Sequence, residues 1–211
     1  MIQLTSLDKP AEFRLFNNFH LNKDYIDSFN KFAIPYSMVN DTDLKGNSGK
    51  LRHKKAKMSK AWGYVTENTM YKQAHFDSSD RDNTPAWILE IADHIRDSEH
   101  LSDIVCTITR QDPGNSLPPH VDVYDSYRKK KNIPEEDAKN IIRYLVFLED
   151  WKIGHFLQFG DSVCCYWKKG DCITWEYGLR HLSTNAGTES KFAMQITGVQ
   201  KNTGITLDAL E

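Results

Sequence analysis

The sequence predicts a mainly β chain, a sandwich or jelly roll with flanking helices. Three observations lead there. Between Asp103 and Val199 the chain carries short runs rich in β-branched and aromatic residues, separated by Gly, Pro, Asn and Asp. The first hundred residues instead hold two segments with apolar residues at helical spacing. No linker-like tract divides the two parts. Residues 1–211 therefore read as one domain, with a mixed part over 1–102 supporting a β-core over 103–199.

In chain order, Asp24 to Phe32 (DYIDSFNKF) has helical spacing. Thr42 to Trp62 is polar and basic and reads as a loop or exposed segment. Within it Lys50, Arg52, His53, Lys54, Lys55, Lys57 and Lys60 fall inside eleven residues. Such a run suits either a solvated loop near a site or contact with an anionic partner, nucleic acid included. Pro85 to Leu101 is a clearer helix: Pro85 suits a first turn, and Ile88, Ile91, Ala92 and Ile95 form one apolar stripe. Asp103 to Thr109 (DIVCTIT) is a strand, and Gln111 to Pro119 (QDPGNSLPP) is turn chemistry. Asn140 to Leu148 (NIIRYLVFL) is a strand, and Leu157 to Tyr166 holds one or two more. After a turn at Lys169-Gly170-Asp171, Cys172 to Tyr177 and Lys191 to Val199 complete the β series. Trp167 and Trp175 read as core residues.

Composition narrows the partners. The chain is 39% hydrophobic and 27% charged, with a formal net charge of -2. That balance argues against bulk attraction to DNA or an anionic membrane. No apolar run approaches the roughly 18 residues of a membrane span. Asp8, Lys9 and Glu12 interrupt the stretch where a signal peptide would be apolar, which points to a cytoplasmic protein. Cys106, Cys164, Cys165 and Cys172 form no CxxC pair and read as reduced thiols on strands.

The chemistry is carried by His120-Val121-Asp122. In a strand, residues two apart share a face, so His120 and Asp122 can reach one metal. His181, 59 residues past Asp122, is the candidate third ligand. Two imidazoles and a carboxylate on one face of an octahedron leave three positions open, as iron(II) needs for a bidentate co-substrate and O2. Lys191 follows His181 by ten positions at the start of a strand, where an ammonium could pair with the far carboxylate of such a co-substrate. Read alone it is an ordinary surface lysine. Arg143 interrupts a run whose two faces both look buried. It either pairs with an acidic side chain or reaches a carboxylate ligand. Thr109 is a weaker co-substrate contact. His155, beside Gly154, reads as structural, with a role behind the metal ligands or toward substrate as the alternative. Asn185 and Gly187 make the turn that delivers Lys191.

These residues resemble the 2-oxoglutarate and iron(II)-dependent oxygenases, which carry HxD…H and then Arg or Lys about ten residues on. Two groups within that superfamily are similar. Trp167-Lys168-Lys169-Gly170 followed by an apolar strand, His181 and Lys191 resembles the aspartyl/asparaginyl β-hydroxylase-like group, whose best-known members lack the carboxylate that Asp122 supplies here. Arg143 falls where that group has an arginine near the co-substrate. Pro113-Gly114-Asn115 before the HxD, Phe147 to Trp151 and the lysine itself resemble the prolyl hydroxylase-like group. The resemblance implies a double-stranded β-helix (jelly-roll/cupin-like) core. It implies His120, Asp122 and His181 as Fe(II) ligands and Lys191, Arg143 and Thr109 around 2-oxoglutarate. It also implies O2-dependent hydroxylation of a C–H bond with release of succinate and CO2. A ligand at Asp122 favours hydroxylation over halogenation. The substrate would be a small molecule or an amino-acid, peptide or protein side chain. A cupin-like metal- or small-molecule-binding module without oxygenase activity is the alternative, and a nucleic-acid-binding protein using the Lys50–Lys60 run is another.

Overall fold

Alternating burial organises the chain into two facing antiparallel sheets. The computed structural model describes residues 3–4, 12–21, 25–32, 34–37 and 70–200. The basic segment within Thr42–Trp62 lies outside the described residues, as does Asp24. The strands are β1 (Gln3–Leu4), β2 (Phe13–Asn18), β3 (Ile34–Ser37), β4 (Met70–Asp77), β5 (Leu101–Gln111), β6 (Ser116–His120), β7 (Ile141–Phe147), β8 (His155–Phe159), β9 (Ser162–Cys165), β10 (Asp171–Trp175), β11 (His181–Asn185) and β12 (Lys191–Gln200). The helices are α1 (Tyr25–Phe32), α2 (Ala86–Glu99) and α3 (Asp125–Lys131).

One sheet has the order β1-β9-β8-β11-β6 and the other β2-β10-β7-β12-β5-β4-β3. From β5 to β12 the chain passes back and forth between the sheets, which makes the core a double-stranded β-helix. The jelly-roll core expected from sequence is therefore the observed one.

The run at Asn140–Leu148 looked buried on both faces because it is. On β7, Tyr144 and Val146 point outward into a cluster with Ile88, Ile95 and Phe29 beneath α1 and α2. Leu145 and Phe147 point inward among Phe159, Trp167 and Trp175, between the sheets. The α2 stripe Ile88, Ile91, Ala92 and Ile95 is buried as the periodicity predicts. Each fully buried Ile there contributes roughly 1.5–3 kcal/mol. Pro85 caps the helix by accepting from Ile88 and Leu89 through its carbonyl.

The structure corrects several boundaries. Leu157–Tyr166 resolves into two strands turned at Gly160, whose φ of 53° suits glycine. The Cys172–Tyr177 run ends as a strand at Trp175. The last four residues of the expected turn Gln111–Pro119 instead belong to β6, Ser116–His120. Prolines are tolerated there because β6 is the edge of its sheet. All four cysteines lie on strands, with Cys106, Cys164 and Cys172 buried.

Candidate metal centre

The two candidate imidazoles are aligned by strand register. His120 ends β6, His181 begins β11, and the two residues are direct partners across the pair. Their ring centroids lie 4.3 Å apart. In each ring Nδ1 meets a backbone carbonyl, Pro118 O at 2.8 Å for His120 and Leu179 O at 3.0 Å for His181. A carbonyl only accepts, so Nδ1 carries the proton in both rings. The lone pair is left on Nε2, the arrangement that second-sphere partners impose on metal-binding histidines.

Asp122 reaches the same place by a different route from the one the sequence suggested. It lies beyond the end of β6, in the irregular segment before α3, so strand alternation does not orient it. Its Oδ1 is 3.7 Å from His120 Nε2 and its Oδ2 is 3.6 Å from His181 Nε2. Ligand atoms of all three residues fall within 4.8 Å of one another, close enough to share an ion.

Arg143 projects from β7 toward this trio. Its Nη1 donates to Asp122 Oδ2 at 2.7 Å, and its Nε donates to Thr197 Oγ1 at 3.2 Å. The guanidinium lies 4.8 Å from the centre of the Tyr124 ring, and the Tyr124 hydroxyl donates to the same Oδ2 at 3.4 Å. Of the two roles open to Arg143, the structure shows the acidic partner, and that partner is Asp122. It stands beside the trio rather than in the wall of the cavity behind it.

That cavity runs between the sheets from His181 to Lys191. Leu145, Phe147, Leu157, Phe159, Trp175 and Ala193 give it apolar walls, and Thr109, Gln111 and Ser183 add polar groups. Thr109 thus faces the cavity, although its hydroxyl donates to Ala193 O at 3.2 Å. Trp175 is core, as expected, and also borders His181 with a 5.2 Å ring separation.

Lys191 begins β12 opposite Gln111 and is only 6% exposed. Its Nζ donates to Ser183 Oγ at 2.7 Å, Thr184 O at 3.1 Å and Phe156 O at 3.2 Å. Among the described residues no carboxylate pairs with it. Burial pushes its amine down to about 7. The turn before it is built by Asn185, whose Nδ2 donates to Gln111 O at 2.9 Å and Glu189 O at 2.7 Å. Gly187 N donates to Asn185 Oδ1 at 3.0 Å. His155 buttresses the same turn: it is buried, Nε2 meets Glu189 O at 3.1 Å, and burial lowers its pKa. It does not join the metal trio.

Sequence reasoning passed over Ser183, Gln111 and Tyr124. Ser183 and Gln111 were within reach of strand alternation, each standing two residues beyond a residue already singled out, His181 and Thr109.

No family model matches the chain, and no match is found among curated proteins. Solved structures do match. A prolyl-4-hydroxylase from Pseudomonas putida has 13% identity and a TM-score of 0.45, over 83% of this chain and 97% of that one. A predicted oxalate decarboxylase from Thermotoga maritima has 11% identity and a TM-score of 0.36, over 62% and 81%. A Cupin 2 conserved barrel domain protein from Salinispora arenicola has 12% identity and a TM-score of 0.32, over 46% and 63%. At these identities the likeness concerns fold alone.

Proposed function

We propose that this chain is an iron(II)- and 2-oxoglutarate-dependent oxygenase that hydroxylates a C–H bond of an amino-acid or peptide side chain. One observation carries the reading. A buried ammonium without a carboxylate partner among the described residues faces a cavity whose other end holds two imidazoles and a carboxylate. A buried charge of this kind is costly unless an anion meets it. Ser183, which accepts from Lys191, lies two residues along β11 from His181, about 7 Å at the rise of a strand. A five-carbon 2-oxo dicarboxylate spans such a gap.

The donor set fits the metal. His120 Nε2, His181 Nε2 and the Asp122 carboxylate would hold iron(II) and leave positions for other ligands. When bound, iron(II) supplies the redox chemistry by which O2 converts 2-oxoglutarate to succinate and CO2 and hydroxylates the substrate. The chain supplies the rest. Lys191 holds the far carboxylate through a charge-assisted hydrogen bond. The apolar walls exclude water, which strengthens that pairing and fixes the ligand along the barrel axis.

The test is slow succinate formation by the purified protein with iron(II), ascorbate, 2-oxoglutarate and O2, even without a primary substrate. His120→Ala and Asp122→Ala are expected to lose most of it. Tight 2-oxoglutarate binding with no succinate, across a broad panel of candidate substrates, would establish a cupin-like binding module instead.

A further inference from the structure

The three candidate ligands are not positioned alike. His120 and His181 are held by strand register and by their Nδ1 bonds. Asp122 sits in an irregular segment, between the exposed residues Val121 and Val123. Its orientation must come from contacts of the carboxylate itself. Arg143 Nη1 donates to its Oδ2 at 2.7 Å. Arg143 is well placed to dictate that orientation. It stands on β7, inside the seven-stranded sheet, with its backbone carbonyl accepting from Thr174 Oγ1 at 2.8 Å and its Nε tied to Thr197. The two side chains are only 16% and 13% exposed, so solvent screens the pair weakly.

We propose that Arg143 is a positioning residue for the metal centre: it steers the loop carboxylate and engages Oδ2, so that Asp122 serves an ion chiefly through one oxygen. The proposal rests on the metal half of the function above and not on the identity of the co-substrate. A carboxylate free to turn could offer both oxygens to an ion and occupy two coordination positions, or swing away. A guanidinium bound to one oxygen limits both. Tyr124 assists, donating to the same oxygen while its ring lies against the guanidinium. Coulomb repulsion acts the other way, because a cation beside the site disfavours a second cation. The two effects predict opposite outcomes when Arg143 is removed.

The experiment is Mn(II) affinity, measured by calorimetry on the whole chain without co-substrate. Loss of binding in His120→Ala first shows that the ion occupies this centre; a wild type that binds no Mn(II) overturns the functional reading itself. If wild type passes, Arg143→Gln is expected to weaken Mn(II) roughly 10- to 100-fold, the usual effect of removing a group that orients a ligand. Arg143→Lys, which keeps the charge but cannot hold Thr197 and Asp122 together, is expected to recover part of the loss. In an Asp122→Ala background the Arg143→Gln change should have little further effect, because the steered group is already gone. Unchanged or tighter Mn(II) binding in Arg143→Gln overturns the proposal, as repulsion would then be the larger effect. So does an equal loss in the Asp122→Ala background, which would mean that Arg143 acts on the fold at large. If Arg143→Gln does not fold, Thr197→Val reads the same point by releasing one anchor: a several-fold weaker Mn(II) affinity supports steering, and an unchanged one refutes it.

Discussion

Raising the pH from 6 to 9 is expected to weaken 2-oxoglutarate binding about 100-fold, and Lys191 is the reason. In the ligand-free protein burial holds its amine near 7 instead of the ordinary 10.5. At pH 9 only about one molecule in a hundred then carries the ammonium. The far carboxylate of the co-substrate is bound by the charged form. Binding at pH 9 must therefore take up a proton, at a cost of about 2.7 kcal/mol for two units, or roughly 100-fold in affinity. Below pH 7 the amine is already charged and this dependence vanishes. Calorimetry with Mn(II) in place of iron, in buffers of different ionisation enthalpy, reads both quantities. Nearly one proton should be absorbed per ligand at pH 9 and few at pH 6. The same depression raises folded stability with pH, because between 7 and 10.5 the unfolded chain binds a proton that the folded one does not. Lys191→Met should flatten that rise in urea melts. A 2-oxoglutarate affinity that is level from pH 7 to 9, with no proton uptake, would refute the reasoning and mean that Lys191 stays charged or is not the anchor.

Other outcomes follow from the surrounding frame. Gly154 has a φ of 91°, and a Cβ there would come within 2.2 Å of Gly187 N. Gly154→Ala is expected to cost about 2–4 kcal/mol in urea denaturation, from strain and backbone collision together. Asn185→Ala removes the amide donor to the carbonyls of Gln111 and Glu189, leaving Glu189 O to His155. It should lose about 2–4 kcal/mol of stability and weaken 2-oxoglutarate more than Mn(II), since the turn it holds carries Lys191 and not the trio. His155→Gln should leave Mn(II) affinity within about twofold of wild type, because the ring supports Glu189 O and not the ion.

The strands that were legible in the sequence are those packed on both faces. Ile141–Phe147 is β-branched or aromatic at five of its seven positions, and Lys191–Gln200 carries Phe192, Ile196, Thr197 and Val199, a pattern that shows without a structure. β4 escaped notice because Ala74 and Phe76 face the helices while Gln73, His75 and Asp77 occupy the other face. β6 was hidden by Pro118 and Pro119, which only an edge position accommodates. The HxD spacing pointed to two residues that the fold does bring together, through an incomplete picture, since Asp122 is off the strand. The pairing of Arg143 with Asp122 could not be read from sequence because the partner is 21 residues away, on a loop whose path depends on the closed barrel. Lys191 was legible by its spacing from His181. Its burial was not, because Glu189 and Ser190 before it read as surface.

The pairing of His120 with His181 also bears on how the chain folds. Residues 61 positions apart in the chain become neighbours only when β11 docks against β6, after the intervening strands have found their places. A nascent or partly collapsed chain offers an ion little more than the local His120-Val121-Asp122 segment. Contacts of such long range are formed late and slowly. An ion captured by the finished centre is thus expected to retard unfolding while leaving the refolding rate nearly unchanged, so that the metal acts as a latch on a barrel already closed and not as the seed around which it condenses.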